Sequence, residues 1–270
     1  MIKKLALFLI IILNSAPIWA VNYTQYCAPN PYSNAPTFSQ IVGMKYLGEK
    51  IAQGIIKKEL RSQTQGKFDV IVKSRSTTDL LNGRLNLLSI VGENLNIDGT
   101  HITKFTARTL CDFNSLKLNK DSITFRENMV LSFLIEIDNN ALSQTLEETG
   151  CSSAIKKSLF ISEFKTEVRN DKIYFIFHIP TYITKPIHLT LSSKINVVNG
   201  KVRLTGFQTG NNSFINPNKI IYVLQNTIPL AFKTDIMDNK DSKVYVESAK
   251  IIGDKIYIDG IVLIPKNEEG

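Results

Sequence analysis

The chain reads as an α+β protein in which long, curved antiparallel β-sheet packs around or against one long N-terminal helix, with short helices near residues 141–157 and 217–228. Three observations predict this. A single long stretch, Phe38 to Ser62, carries Ile41, Met44, Ile51, Ile55 and Leu60 near helical spacing, with Lys and Glu between them. Most of the chain beyond Ser62 consists of apolar runs, some alternating with a period of two, as in Ile173, Phe175, Phe177 and Ile179. The breaks between these runs are brief Gly, Asn and Asp clusters, and short turns between long strands make antiparallel neighbours.

Taken in order, the N-terminus comes first. Lys3 and Lys4 precede the apolar run Leu5 to Leu13, and a small residue, Ala20, closes the segment. These are the three parts of a signal peptide. The run falls short of the about 20 apolar residues a spanning helix needs, and no later segment reaches that length. Residues 1–20 are therefore expected to be cleaved near Ala20, leaving a soluble exported protein of the periplasm or cell envelope. Residues 21–36, rich in Pro, Asn, Ser and Tyr, read as an extended lead-in. Residues 37–270 form a single β-rich domain, which the short helices near 138–158 divide into two halves.

Thr37 is a suitable N-cap for the long helix. Gly43, Gly48 and Gly54 each cost about 1 kcal/mol relative to Ala in a helix interior, so their presence suggests that something packs closely on that face. Strands are predicted over Phe68–Lys73, Leu85–Val91, Leu95–Asp98, His101–Leu110 and Ser122–Ile137, with breaks at Asn82-Gly83, Gly92-Glu93-Asn94 and Gly99. Asp138 to Asn140 then caps a helix over Ala141–Glu148, and a second helix is expected over Ser152–Lys157. Two hairpins come next, Leu159–Arg169 with Lys172–Ile179, and His188–Val197 with Lys201–Phe207 around Asn199-Gly200. Asn216-Pro217 opens a helix that Pro229 ends. Lys243–Ile252 and Lys255–Ile264 close the chain as a hairpin at Gly253-Asp254.

Composition narrows the function classes. The net charge is +8 and falls to +6 once Lys3 and Lys4 leave, with 30 basic against 24 acidic residues. A basic exported protein meets anionic lipid head groups or polyanionic wall polymers before it meets nucleic acid. Blocks of five or more like charges are absent, so most charges read as solvated faces. The three cysteines, Cys27, Cys111 and Cys151, allow at most one internal disulfide, for which Cys111 and Cys151 are the expected pair, and they fit no CxxC motif. His101, His178 and His188 have no carboxylate or Cys at metal-ligand spacing in the sequence. GxSxG, HExxH and phosphate-loop patterns are missing. No catalytic residue, metal or cofactor is expected.

What remains is apolar strand surface beside one glycine-bearing helix. Such a sheet can close on itself, as a scaffold with a packed core, or leave a slot for a flexible apolar guest. For the slot, the expected lining is Ile41, Met44, Ile51 and Ile55 from the helix and Leu85, Leu87, Phe175 and Phe177 from the sheet. Arg84, Lys104 and Arg108 are the basic residues placed to meet a head group. Phospholipid or a membrane surface is the expected partner.

One resemblance points the same way. Phe68 to Lys73, the segment Leu80-Leu81-Asn82-Gly83-Arg84-Leu85 running on to Leu95, Ile102 to Asp112, and Asn140-Ala141-Leu142 together resemble the LmeA-like phospholipid-binding family of bacterial envelope proteins. In that family a strand leads to a leucine, a small loop, a glycine and alternating apolar residues, then an apolar strand and a short helix with an alanine-leucine core. The resemblance covers most of the mature chain and departs from the family in the long polar loop at 210–218. It implies an envelope protein that binds phospholipid, and it carries over no catalytic residues.

Overall fold

The computed structural model of the protein describes residues 23–30, 42–119, 122–180, 187–198, 201–209, 217–231 and 243–266. The expected leader, the expected lead-in at 21–22 and 31–36, Thr37, Ile41 and the pair Asn199-Gly200 lie outside the described residues. Among those described, a short 3-10 turn, Tyr23–Tyr26, precedes the long helix α1 (Val42–Gln63) and strand β1 (Gln65–Lys73). A one-turn helix α2 (Thr77–Leu81) leads to β2 (Arg84–Leu85), β3 (Leu87–Ile97), β4 (Thr100–Thr109), β5 (Asn114–Asn119), β6 (Ser122–Phe125) and β7 (Met129–Ile137). Helices α3 (Asn139–Glu148) and α4 (Cys151–Leu159) then precede β8 (Glu163–Arg169), β9 (Lys172–Ile179), β10 (Ile187–Val198) and β11 (Lys201–Thr209). Helix α5 (Pro217–Ala231) and the hairpin β12 (Lys243–Ile252) and β13 (Lys255–Ile264) complete the order.

The described strands form three antiparallel sheets, ordered β1-β3-β4-β7-β13-β12, β11-β10-β9-β8 and β2-β5-β6. The α+β class and the long N-terminal helix against a sheet are as the sequence predicts. Alternation decides which face of the largest sheet is inside: Phe68, Val70 and Val72 of β1 are buried while Asp69, Ile71 and Lys73 between them are exposed. The same holds for Phe105 and Ala107 of β4 against Lys104 and Arg108. On α1, Ala52, Ile56 and Leu60, four residues apart, turn one stripe into this core. The helix is tied down at the end of β1, where Ser74 N donates to Glu49 Oε1 at 3.0 Å and Gln53 Nε2 donates to Val72 O at 3.5 Å. One continuous cluster of buried side chains runs from Leu60 through Phe105 and Ile258 to Phe175, Ile155 and Leu224.

Several boundaries differ from expectation for local reasons. Gly92-Glu93-Asn94 does not end a strand: β3 runs through it, and the register against β1 shifts between Gln65 and Lys67, so Asn94, at φ 52°, marks a bulge just past the glycine. Ser122–Ile137 is two strands, broken at Arg126–Asn128. Leu159 belongs to α4 rather than to the first hairpin, and α5 continues to Ala231, past Pro229. The C-terminal hairpin and its Gly253-Asp254 turn have the predicted bounds.

The disulfide joins Cys27 to Cys111, not Cys111 to Cys151. Cys111 sits with Val130, Ile261 and Leu263 on the outer face of the six-stranded sheet, where Tyr23 and Tyr26 cover them. Cys151, at the start of α4, forms no disulfide, is buried in the inner core and accepts from Thr149 Oγ1 at 3.3 Å. A sheet therefore separates the two residues expected to pair. The bond ties the N-terminal turn to the sheet and closes a separation of 84 residues.

Candidate functional site

The fold leaves a groove of about 470 Å³ between α1 and the α2–β2 segment, within the size range of small-molecule sites. Its construction begins with α2. Ser76 caps that helix: its Oγ accepts from Asp79 N at 3.1 Å and donates to Asp79 Oδ2 at 2.7 Å. Leu80 then packs on α1 at Gly48, where a Cβ would lie 2.6 Å from Leu80 Cδ2. This is the close approach that the helix glycines predict. Gly54, by contrast, has open space around its Cβ position.

Beyond α2 the chain turns at Gly83, with φ 72°. An added Cβ there would fall 1.7 Å from Leu116 O, so only glycine lets this turn lie on β5. Leu116 N donates to Gly83 O at 2.9 Å and fixes the contact. Ile51, Ala52 and Ile55 form the helix wall, Leu80 and Leu81 the facing wall, and Leu116 the third side. Ile51 is 56% exposed and Leu81 79% exposed, so the groove holds apolar surface that the protein does not cover.

Two cations complete it. Lys117 of β5 and Arg126, just after β6, line the groove, and Arg126 Nη1 donates to Asn82 O at 3.3 Å, joining β6 to the α2–β2 turn. Among the described residues lining the groove, none is acidic. The arrangement can take an apolar chain along Ile51, Ile55 and Leu81 and a negative group at Lys117 and Arg126.

The residues expected from sequence divide accordingly. Ile51 and Ile55 line the groove. Met44 belongs to α1. Leu85 is buried at 1% exposure, and Leu87 is half-buried at the start of β3. Phe175 and Phe177 are fully enclosed beside Phe164, with ring centroids 6.4 and 5.4 Å away, and do not reach the groove. Arg84 Nη1 lies 3.6 Å from Asp79 Oδ1, on the α2 cap. Lys104 and Arg108 are exposed on the outer face of the large sheet, Lys104 in register between Glu93 and Glu136. Sequence reasoning missed Lys117 and Arg126, because only the β5–β6 pairing and the Gly83 crossing bring them to α1.

The histidines form side-chain pairs away from the groove. His101 Nε2 is 2.8 Å from Glu148 Oε1, and the hydrogen bonds from His101 and then Asn96 hold the Glu148 carboxyl below its ordinary range. His178 Nδ1 is 2.8 Å from Glu163 Oε2, with the His188 ring edge-on at 4.3 Å. Among the described residues no group of three His, Cys, Asp or Glu side chains is arranged to hold a metal. No helix among them is long and apolar enough to cross a membrane. No protein-family model, curated protein or solved structure matches the chain.

Proposed function

We propose that this is an exported, non-catalytic envelope protein, akin to the LmeA-like phospholipid-binding proteins, that takes an acyl chain of a phospholipid into the groove between α1 and α2. The observation that carries the reading is uncovered apolar surface at Ile51 and Leu81 in a groove whose charged lining residues, Lys117 and Arg126, are both basic. Each methylene buried contributes about 0.8 kcal/mol, so six of them give on the order of 5 kcal/mol before the cost of ordering the chain. The phosphate would lie at Arg126 and Lys117. Export is supported by the leader-like N-terminus and by the Cys27–Cys111 disulfide, since such bonds persist mainly in oxidising compartments.

Native mass spectrometry of protein purified from cells, and again after incubation with phospholipid vesicles, tests the proposal. A phospholipid adduct of one molecule per chain is expected. A clean apo mass under both conditions contradicts it. One observation favours a second reading, an envelope scaffold without ligand: the core around β9 is filled, with Phe175 and Phe177 at 0% exposure. Under that reading the exposed edges of the sheets are available for strand addition from a partner, and no phospholipid adduct forms.

A further inference from the structure

At the end of α4 a phenylalanine is held where glycine is the usual residue. Phe160 caps the helix in the left-handed conformation, φ 54° and ψ 44°, its N–H donating to Lys156 O; this C-terminal position ordinarily selects Gly or Asn. The conformation turns Phe160 outward between Leu159, which packs on the core, and buried Ile161. The ring is consequently 80% exposed. Core packing does not account for a bulky side chain held in this strained backbone conformation and so little buried.

Its surroundings are basic and aromatic. Lys219 Nζ, from α5, lies 5.9 Å from the Phe160 ring centroid, and Tyr222, one turn further along α5, is 69% exposed. Lys156 and Lys157 stand in the last turn of α4. Neither helix contains an acidic residue. The next carboxylate along the chain, Glu163, is engaged by Lys165 at 2.7 Å and His178 at 2.8 Å, and Lys156 also acts on it electrostatically.

We infer that this surface docks on an anionic lipid bilayer, with Phe160 and Tyr222 entering the head-group boundary and Lys156, Lys157 and Lys219 meeting lipid phosphates. Aromatic rings among lysines are the composition that membrane interfaces select, and each lysine near an anionic surface adds to binding. The charge is complementary to phosphatidylglycerol-type head groups and gives a neutral bilayer little to attract. This docking surface stands apart from the groove and does not depend on it.

Co-sedimentation of the full chain with phosphatidylglycerol vesicles, and with phosphatidylcholine vesicles as the neutral control, tests the inference. Binding to the anionic vesicles alone, weakening as salt is raised, is expected. Phe160→Asn, which suits the left-handed position, should lower that binding about tenfold while its thermal midpoint stays equal to or above the parent's. Lys157→Gln should lower it about fivefold. A groove variant, Ile55→Trp, should sediment as the parent does, and Phe160→Asn should still form the phospholipid adduct in mass spectrometry, so the two proposals fail separately. Equal binding to both vesicle types, or parent-level binding by a folded Phe160→Asn chain, overturns the inference. Binding to neither type does so too, and leaves the patch to a protein partner.

Discussion

The core around Phe175 and Phe177 and the groove beside α1 are lined by the same kinds of residue, yet one is filled and the other is open. In that core, Phe175 and Phe177 of β9 come from a strand with neighbours on both sides, and Phe164 of the adjacent β8 lies beside them. Beside α1, the facing wall is a helix of five residues, held off by the Gly83 turn on β5, and it cannot cover both flanks of a 22-residue helix. The difference teaches that exposure of apolar side chains here follows from what element faces them, not from how apolar the segment is.

Variants can sharpen that contrast, beginning with the largest effect. Phe175→Ala removes a side chain at 0% exposure and should lower unfolding free energy by about 3–5 kcal/mol, seen in urea titration, while the chain that remains folded binds lipid as before. Replacing Cys27 by Ser releases the outer-face strap and should cost about 2–4 kcal/mol, again without loss of groove binding. At Ile51, which is 56% exposed, a change to Ser should shift stability by less than about 1 kcal/mol but weaken phospholipid binding about tenfold. If Ile51→Ser instead destabilises as much as Phe175→Ala, the groove is core and the contrast collapses.

The smallest effect lies away from both regions, on β12. Burial, and then the nearby Asp259 carboxylate, raise the pKa of Glu247. Because the folded chain holds this proton to higher pH than the unfolded chain does, ionisation of Glu247 opposes folding above the folded-state pKa and has no effect below the unfolded one. Glu247→Gln should therefore stabilise the protein slightly at neutral pH, and the gain should vanish as pH falls through the carboxylate range. Thermal midpoints measured across that range would check both the sign and the window.

Much of the fold was legible because it is local. The Gly253-Asp254 hairpin announces itself in adjacent residues, and Asp138 caps α3 by accepting from Ala141 N at 2.9 Å, as a capping residue should. Helix α2 escaped because five residues carry too little periodicity, although Ser76 with Asp79 three positions later was a usable start signal. The site was legible only by half. Gly48, Ile51 and Ile55 lie on a helix whose faces can be counted from sequence, whereas Phe175 and Phe177 alternate as any inward pair does, and alternation cannot tell a filled interior from an open slot. Lys117 and Arg126 reach the groove through pairings distant in sequence, and Cys27 reaches Cys111 across 84 residues, so neither relation leaves a periodic trace.

The most direct test of the groove is a titration of fluorescent-tailed phosphatidylglycerol against the parent, Ile55→Trp and Phe175→Leu, each verified as folded. Filling the groove with the indole should reduce affinity about tenfold or more, while the core change, once folded, should bind as the parent does. Equal affinity in the parent and Ile55→Trp, or no binding by the parent at all, would contradict the account.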